Sequence, residues 1–267
     1  MDAVTLGPLV LAYDRLVVFA GLALFLALCE WLARRRREPE LAAAAWNASL
    51  AGLLAARLGY VASHWSVYSQ DPLSALYVWQ GGFSPAWGLA GGLVYALWSL
   101  RRRPLLLRRA LLPALAGLAL ALGLWALPNR SATALTLPDA RLYDLEGRPV
   151  NLADLGGGPL VLNVWATWCP PCRRELPMLA GAAAAHPQVT FVFVASGEPA
   201  GRVAGYLDER GLQLPHALVD PAGELARRLP VRGYPTTFFF DSQGKLVSSK
   251  TGELNRAGLE DQLARLR

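Results

Sequence analysis

Residues 160–177 read LVLNVWATWCPPCRRELP, and this stretch decides the fold of the C-terminal half of the chain. Its first part, residues 160–165, is a short apolar run of the kind that forms a buried strand. Residues 171–185 have a helical pattern, and the two prolines between Cys169 and Cys172 suit a first helical turn, where backbone N–H groups have no partner within the helix. The sequence therefore predicts a strand, a cysteine pair and a helix in direct succession.

The position of Cys169 predicts its chemistry. At the start of a helix, unpaired backbone N–H groups and the helix dipole favour an anion. These groups stabilise the thiolate, lower the pKa of Cys169 and make it a nucleophile near neutral pH. Cys172 lies one turn further and faces inward, where it can attack a mixed disulfide formed on Cys169. We predict that this pair exchanges disulfides.

The cysteine pair has three other possible uses, as a zinc site, a structural disulfide or a copper site. A zinc site needs two more ligands, yet Cys29 lies in an apolar run, and His186 and His216 form no second pair. A structural disulfide closing so small a ring would constrain little unfolded-chain entropy. A copper or apocytochrome chaperone with sulfur ligands stays open as an alternative, with Met178 as the candidate methionine. We predict no metal and no cofactor.

Short apolar strands and helices alternate through the rest of this half, which is typical of an α/β fold with a mixed sheet. We assign residues 138–267 to this domain. The predicted strands are residues 189–195, 236–241 and 245–251, and the predicted helices are residues 201–210, 224–229 and 255–266.

The N-terminal half carries apolar runs near the length of about 20 residues that spans a bilayer. Four Arg residues at 34–37 follow the first run, whereas a signal peptide has its positive charges before the apolar core. We therefore predict a retained α-helical membrane domain of four transmembrane helices over residues 1–127, joined by a linker at residues 128–137. The four runs are residues 16–33, 41–62, 83–100 and 110–127.

The charges predict how this domain is oriented. The net charge is +6, but residues 1–130 hold 12 Arg against 6 acidic residues, while residues 131–267 hold 14 basic and 14 acidic residues. The surplus is Arg beside apolar runs, at residues 34–37 and 101–109, and this marks the cytoplasmic side of a membrane protein. It excludes a nucleic-acid-binding protein. The loop at residues 63–82 and the C-terminal half are then expected outside the cytoplasm.

Arg57 lies inside the second apolar run. An arginine within the membrane is costly unless it snorkels or is paired. Asp14, Glu30 and a lipid phosphate are candidate partners. We predict either a structural pairing or a contact between Arg57 and a lipid headgroup.

Residues 55–93, AARLGYVASHWSVYSQDPLSALYVWQGGFSPAWGLAGGL, resemble the front part of bacterial prolipoprotein diacylglyceryl transferase. The resemblance departs from that family at the catalytic motifs. Ala86, Trp87 and Gly88 stand where the family has a histidine and two glycines, and a later G-R-x-G-N-F element has no counterpart. The expectation is a truncated domain without these motifs, and a degenerate lipid-handling transferase fused to a redox domain is the alternative.

Residues 135–267 resemble the TlpA/ResA/CcmG group of membrane-tethered periplasmic thiol-disulfide oxidoreductases, which have a thioredoxin-like fold. The matching stretches are LYDLEGRPVNLADL, WATWCPPCRRELP and GYPTTFFFDSQGKL. The resemblance implies that Pro235 is a cis proline against the disulfide. It also implies a bacterial inner-membrane protein with several spans and its redox domain in the periplasm or another extracytoplasmic space.

The resemblance also assigns a proton carrier. Thioredoxin has a buried acid where Asn163 stands, so the base must come from elsewhere. Glu175 corresponds to the acid that the group keeps beside its cysteines, which implies proton transfer to or from Cys172. The alternative is an exposed helical glutamate paired with Arg173 or Arg174.

Trp168 and Tyr234 flank the cysteines and are predicted either to contact the partner protein or to pack. The resemblance to the TlpA/ResA/CcmG group implies that the activity is reduction of protein disulfides. The expected partners are extracytoplasmic protein disulfides or apocytochrome-like thiols, as in cytochrome c biogenesis, a membrane electron donor of the DsbD/CcdA type, and membrane lipids.

Overall fold

A computed structural model of the chain describes residues 3–6, 9–126 and 135–266. It divides into two compact units, one of Ala12–Asn129 and one of Met1–Leu11 with Arg130–Arg267. Most of the predicted linker, up to residue 134, lies outside the described residues. Its last residues pair with the second unit, since Leu137 N–H donates to Gly244 O and Leu246 N–H donates to Leu135 O, both at 2.7 Å.

The described part of the N-terminal unit contains five α-helices, and α2 packs along α4 while α1 packs along α5. Proline begins three of them, because the first helical position needs no N–H donor. Two short 3-10 helices, Pro72–Leu76 and Val78–Gln80, lie between α3 and α4. The helices are α1 (Tyr13–Arg36), α2 (Pro39–Ser63), α3 (Trp65–Tyr68), α4 (Pro85–Leu100) and α5 (Pro104–Ala126). A two-stranded sheet, β1 (Ala3–Leu6) and β2 (Leu9–Ala12), precedes them.

Among the residues that the structure describes, three helices are long and apolar enough to cross a membrane, at Arg15–Arg36, Pro39–Ser63 and Pro104–Ala126. The prediction of four spans is not confirmed. Helix α4 has 16 residues, and at 1.5 Å per residue it extends about 24 Å, short of a hydrocarbon core of about 30 Å. It begins at Pro85, two residues after the predicted start, because Gly81 and Gly82 have positive φ angles and Ser84 is an N-cap residue with an extended backbone.

Both Arg-rich turns lie at one end of the helical unit. The turns that join α1 to α2 and α4 to α5 share one buried cluster, and Arg109 after the second turn pairs with Glu38 in the first. At the opposite end, the Tyr13 hydroxyl donates to Leu124 O at 2.7 Å. The chain therefore leaves α5 at the end remote from the Arg clusters. The cluster consists of Ala33, Leu41, Leu100 and Leu106.

The C-terminal unit is a seven-stranded mixed sheet with helices, as predicted. The strand order is β4-β3-β7-β6-β5-β8-β9, with β5, β6 and β7 parallel and β8 antiparallel to β5. The elements are β3 (Arg141–Asp144), β4 (Pro149–Asn151), β5 (Leu160–Trp165), α6 (Pro170–Ala185), β6 (Thr190–Ser196), α7 (Ala200–Arg210), β7 (Ala217–Asp220), α8 (Glu224–Arg228), β8 (Thr236–Phe240), β9 (Leu246–Thr251) and α9 (Arg256–Ala264).

Strand β7 is absent from the sequence-based assignment. Its apolar run is only three residues long, too short to be distinguished from a loop by pattern. It becomes a strand by pairing with β6 on one side and β3 on the other.

The side chains of β5 point alternately to the two faces of the sheet, and this alternation positions the functional site. Successive side chains of a strand point to opposite faces of the sheet. Leu162 and Val164 enter one buried cluster, while Val161 and Trp165 enter the other, which contains the cysteines and the apolar face of α6. Asn163 shares the face of Val161 and Trp165, and its amide is therefore directed beneath α6.

Candidate active site

The cysteines form a disulfide at the start of α6. Cys169 is the N-cap residue, its Sγ accepts the Cys172 N–H at 3.3 Å, and the two Cα atoms are 5.3 Å apart. Cys169 is 3% exposed and Cys172 is fully buried. An external sulfur can therefore reach only Cys169, and the helix start supplies N–H donors for the thiolate released on reduction.

Glu175 lies one turn beyond Cys172 on α6 and is 2% exposed. Its carboxylate accepts two hydrogen bonds, one from Asn163 Nδ2 at 2.8 Å and one from Leu254 N–H at 2.9 Å. The alternative of an exposed glutamate paired with a neighbouring arginine is wrong, because Arg174 bonds Glu253 instead, with Nε 3.0 Å from Oε2. The arrangement brings the predicted acid into the core beneath the cysteine pair.

Burial raises the pKa of Glu175 to about 8. Hydrogen bonds from Leu254 and Asn163 lower this pKa, and the negative charge of Glu253 raises it. Because desolvation is the largest of these effects, Glu175 holds a proton at neutral pH and can exchange it without a large energetic cost.

The side-chain amide of Asn163 is a hydrogen-bond donor to Glu175. Its Nδ2 donates to Glu175 and also to Thr237 Oγ1 at 3.0 Å. The three side chains come from α6, β5 and β8. Strand β5 thus contacts the Glu175 carboxyl group directly, and strand β8 contacts the Asn163 amide that binds it.

Trp168 and Tyr234 lie together next to the cysteines. Their rings meet edge to face with centroids 5.7 Å apart, and the Tyr234 hydroxyl donates to Ser196 Oγ at 2.9 Å. Trp168 is 62% exposed, whereas Tyr234 packs against the core. The Tyr234–Pro235 peptide bond is cis, as the resemblance implies. The ring contact places the loop of Pro235 beside the cysteine motif.

Glu198 is a site residue that the sequence reasoning missed. Its carboxylate accepts the Thr167 N–H at 2.7 Å and the Thr167 hydroxyl at 2.5 Å, and the side chain is buried. A signal for this contact exists in the order of elements. Strands β5 and β6 are parallel neighbours, so the residues that follow them meet at one edge of the sheet.

Arg57 lies in the helical unit and is 8% exposed. Four of its five N–H donors bond backbone carbonyl oxygens of the loop before α4, at 2.6 to 3.2 Å. Its guanidinium also lies over the rings of Tyr68 and Phe83, 5.6 Å from each centroid. A Cβ on Gly82 would come within 2.6 Å of Arg57 Nη1, which explains the glycine. The carbonyl oxygens belong to Ser74, Ala75, Gly81 and Gly82.

In the described residues Arg57 binds these carbonyl oxygens and not Glu30, which was one of its predicted partners. Glu30 bonds Arg34 at 2.9 Å instead, and the side chain of Asp14 lies outside what the structure describes. Contact between Arg57 and a lipid headgroup stays a prediction.

Comparison with known proteins agrees with this geometry. The Redoxin family model matches residues 132–263, and the model of prolipoprotein diacylglyceryl transferase matches residues 2–127. A thiol-disulfide oxidoreductase ResA from Geobacillus thermodenitrificans is 34% identical over 130 residues, which are 48% of this chain and 74% of that protein. ResA from Geobacillus kaustophilus is 32% identical over the same shares.

One similar solved structure is a secreted disulfide oxidoreductase of Mycobacterium tuberculosis described as homologous to E. coli DsbE. It is 30% identical, covers 48% of this chain and 96% of its own, and has a TM-score of 0.43. The buried acid beside a capping disulfide and the likeness to the ResA proteins lead to the same assignment. Through its C-terminal half, the chain belongs to the redoxin family of ResA-type thiol-disulfide oxidoreductases.

Proposed function

We propose that this protein is a membrane-anchored reductase of protein disulfides that works outside the cytoplasm. In this proposal residues 1–127 form the anchor, residues 128–137 the linker and residues 138–267 the redox domain. The observation that carries the proposal is the pairing of a disulfide at the start of α6 with the buried acid Glu175 one turn further.

The reaction begins with the dithiol form of the protein. The Cys169 thiolate attacks one sulfur of the partner disulfide, so a mixed disulfide forms, the partner S–S bond breaks and the departing partner sulfur takes a proton. The Cys172 thiol then loses its proton to the ionised form of Glu175, and its sulfur attacks Cys169 Sγ. The Cys169–Cys172 disulfide forms, the mixed disulfide breaks, and the second partner sulfur leaves as a thiol after taking the proton back from Glu175. Two electrons pass from the protein to the partner.

The cycle needs an external dithiol to return the two electrons. We assign this role to a membrane electron donor of the DsbD/CcdA type. The partners that receive the electrons are extracytoplasmic protein disulfides, and the oxidised cysteine pair that yields apocytochrome-like thiols on reduction is one candidate class. This direction suits a protein whose substrates lie where disulfides form and persist.

Two features support an extracytoplasmic position of the redox domain. Three helices of the first unit are long and apolar enough to span a membrane. Both Arg-rich turns lie at one end of that unit, which the positive-inside bias places in the cytoplasm, and the chain leaves α5 at the other end. The first unit then serves as an anchor in contact with membrane lipids.

Trapping in cells tests the activity. A Cys172→Ala variant keeps the attacking sulfur but cannot resolve the mixed disulfide, so partner proteins should stay attached to Cys169 and be identified by mass. Cys169→Ala/Cys172→Ala is the matched control and should trap nothing. A normally expressed Cys172→Ala protein that carries no partner would overturn the proposed exchange.

Labelling tests the location. In intact cells treated with a reductant, a membrane-impermeant maleimide should label Cys169, and the Cys169→Ala variant should lose this label. Labelling that requires opening of the cells would place the redox domain in the cytoplasm and contradict the proposal.

A further inference from the structure

A cleft of about 450 Å³ lies between the start of α6 and helix α7. Two of its lining residues belong to the cysteine motif itself. Thr167 lies two residues before Cys169, and Arg173 follows Cys172 directly. A peptide segment bound in the cleft would therefore end beside Cys169.

The cleft carries an excess of positive charge. Arg173, Arg202 and Arg210 line it, and Glu209 is the acidic residue among the lining side chains. Within the described part of the chain, none of these three arginines forms an ion pair, whereas Arg174 of the same unit is paired with a carboxylate. Unpaired positive charge beside a reactive site attracts negatively charged partners and speeds their encounter.

The guanidinium groups of two of these arginines lie over the ring of Tyr206. Its ring lies 5.7 Å from Cζ of Arg173 and 5.8 Å from Cζ of Arg210, and 5.8 Å from the buried ring of Trp165. A guanidinium stacked on an aromatic ring loses less freedom when it binds a carboxylate, and its planar donors match two carboxylate oxygens at once.

Two glycines of helix α7 line the cleft and leave space there for a peptide backbone. Gly201 and Gly205 lie one turn apart on α7, and a Cβ added to either would meet no atom within 4 Å. Glycine is the least favoured residue of a helix interior after proline. No neighbouring atom requires these two glycines, and their effect is to leave room along the helix.

We propose that this cleft binds an acidic, extended segment of the partner protein, next in sequence to the cysteine that Cys169 attacks. The proposal rests on the proposed reductase function and adds the class of its substrate. Carboxylate side chains of the segment pair with Arg173, Arg202 and Arg210, and its backbone lies along the two glycines.

Peptides of equal length test the proposal on the reduced full chain in detergent micelles. Each peptide carries one cysteine as a mixed disulfide with thionitrobenzoate, flanked by Glu, Gln or Lys, and release of the chromophore gives the second-order rate constant. At low salt we expect the Glu peptide to react about tenfold faster than the Gln peptide and the Lys peptide to be slowest. The difference should shrink when the ionic strength rises from about 0.02 to about 0.5 M.

The double variant Arg202→Gln/Arg210→Gln removes two of the three arginines that pair with the Glu side chains of the peptide. It should therefore reduce the ratio of the Glu-peptide rate to the Gln-peptide rate to about two or less. Arg141→Gln/Arg265→Gln removes the same charge from exposed positions that do not line the cleft and should keep the full ratio. Equal rates for all three peptides, or an unchanged ratio in Arg202→Gln/Arg210→Gln, would overturn the cleft proposal alone. Failure of every peptide to react with the unaltered chain would overturn the reductase function instead.

Discussion

The amide of Asn163 on strand β5 donates a 2.8 Å hydrogen bond to the carboxylate of Glu175 on helix α6. This contact joins the sheet to the helix that carries the cysteines. It holds a titratable group inside the core, one helical turn from Cys172. It is also one of the two hydrogen bonds that lower the pKa of Glu175 against the effect of burial. The proton chemistry of the site depends on this pair.

Replacing Glu175 with Gln removes the proposed proton acceptor for Cys172. The carboxylate is the form that accepts a proton, so the rate of disulfide reduction should rise with pH up to about 8, the raised pKa of Glu175, and then level off. In Glu175→Gln this rise should disappear, with a loss on the order of a hundredfold in rate at the plateau. Stopped-flow measurements over pH 5 to 9.5 check this, with exposed Glu146→Gln as the control. Identical profiles for Glu175→Gln and the unaltered chain would remove Glu175 from the mechanism.

Asn163→Leu removes a donor that lowers the pKa of Glu175. The rise in the pH-rate profile should therefore move to higher pH. Loss of a buried hydrogen-bonding group should also lower the free energy of unfolding by about 1–3 kcal/mol. Thr237→Val keeps the bond between Asn163 and Glu175, so its profile should stay in place. A profile that moves equally in both variants would show that general loosening, and not the hydrogen bond, shifts the titration.

The free energy of unfolding should fall as the pH rises from 4.5 to about 8, the two pKa values of Glu175 in the unfolded and folded chain. Its pKa is raised from 4.5 to about 8 in the folded protein, so between these values the unfolded chain has lost a proton that the folded chain still holds. The contribution is fully present below pH 4.5 and declines by at most about 1.4 kcal/mol per pH unit until about pH 8. Thermal unfolding of the oxidised full chain, followed by near-ultraviolet circular dichroism, measures the trend. Glu175→Gln should show a flatter dependence, and equal slopes would contradict the raised pKa.

Glu198 should hold the loop before Cys169 in place through Thr167. In Glu198→Ala two donors of Thr167 lose their acceptor, which should cost about 1–3 kcal/mol and slow disulfide reduction. Glu198→Gln keeps a carbonyl oxygen for the N–H and gains an amide donor for the hydroxyl oxygen, so it should recover most of the loss. Unfolding and reduction rates of both variants check this expectation. A Gln variant as impaired as the Ala variant would show that the charge of Glu198, and not its hydrogen bonding, is needed.

Arg57→Met should loosen the loop before α4, because four carbonyl oxygens lose their donors at once. Limited proteolysis in micelles should cut residues 64–84 of this variant at least about fivefold faster than in the unaltered chain, which corresponds to a loss of about 1 kcal/mol. Arg36→Met changes an exposed arginine at the other end of the unit and serves as the control. Equal cleavage rates for Arg57→Met and Arg36→Met would mean that the carbonyl contacts do not stabilise the loop.

The sequence predicts the helices and strands whose formation depends mainly on residues close together in the chain. Strand β5 was predicted with its observed bounds, and α6 to within one residue, because an apolar run, two prolines and a helical pattern are local signals. The cis bond at Pro235 and the role of Glu175 came from resemblance to a family and not from the pattern itself. The short strand β7 escaped prediction because its pairing with β3 and β6 defines it.

By itself the sequence determined that a cysteine pair opens a helix behind a buried strand and that apolar helices flanked by arginine precede this domain. Only the tertiary structure decided what surrounds the pair. Glu175 meets Asn163 and Leu254, 12 and 79 residues away in the chain, and Glu198 meets Thr167 at a distance of 31 residues. Such contacts arise when strands align and helices pack on them, and the free energy of burial and hydrogen bonding that selects them is shared among segments far apart in sequence.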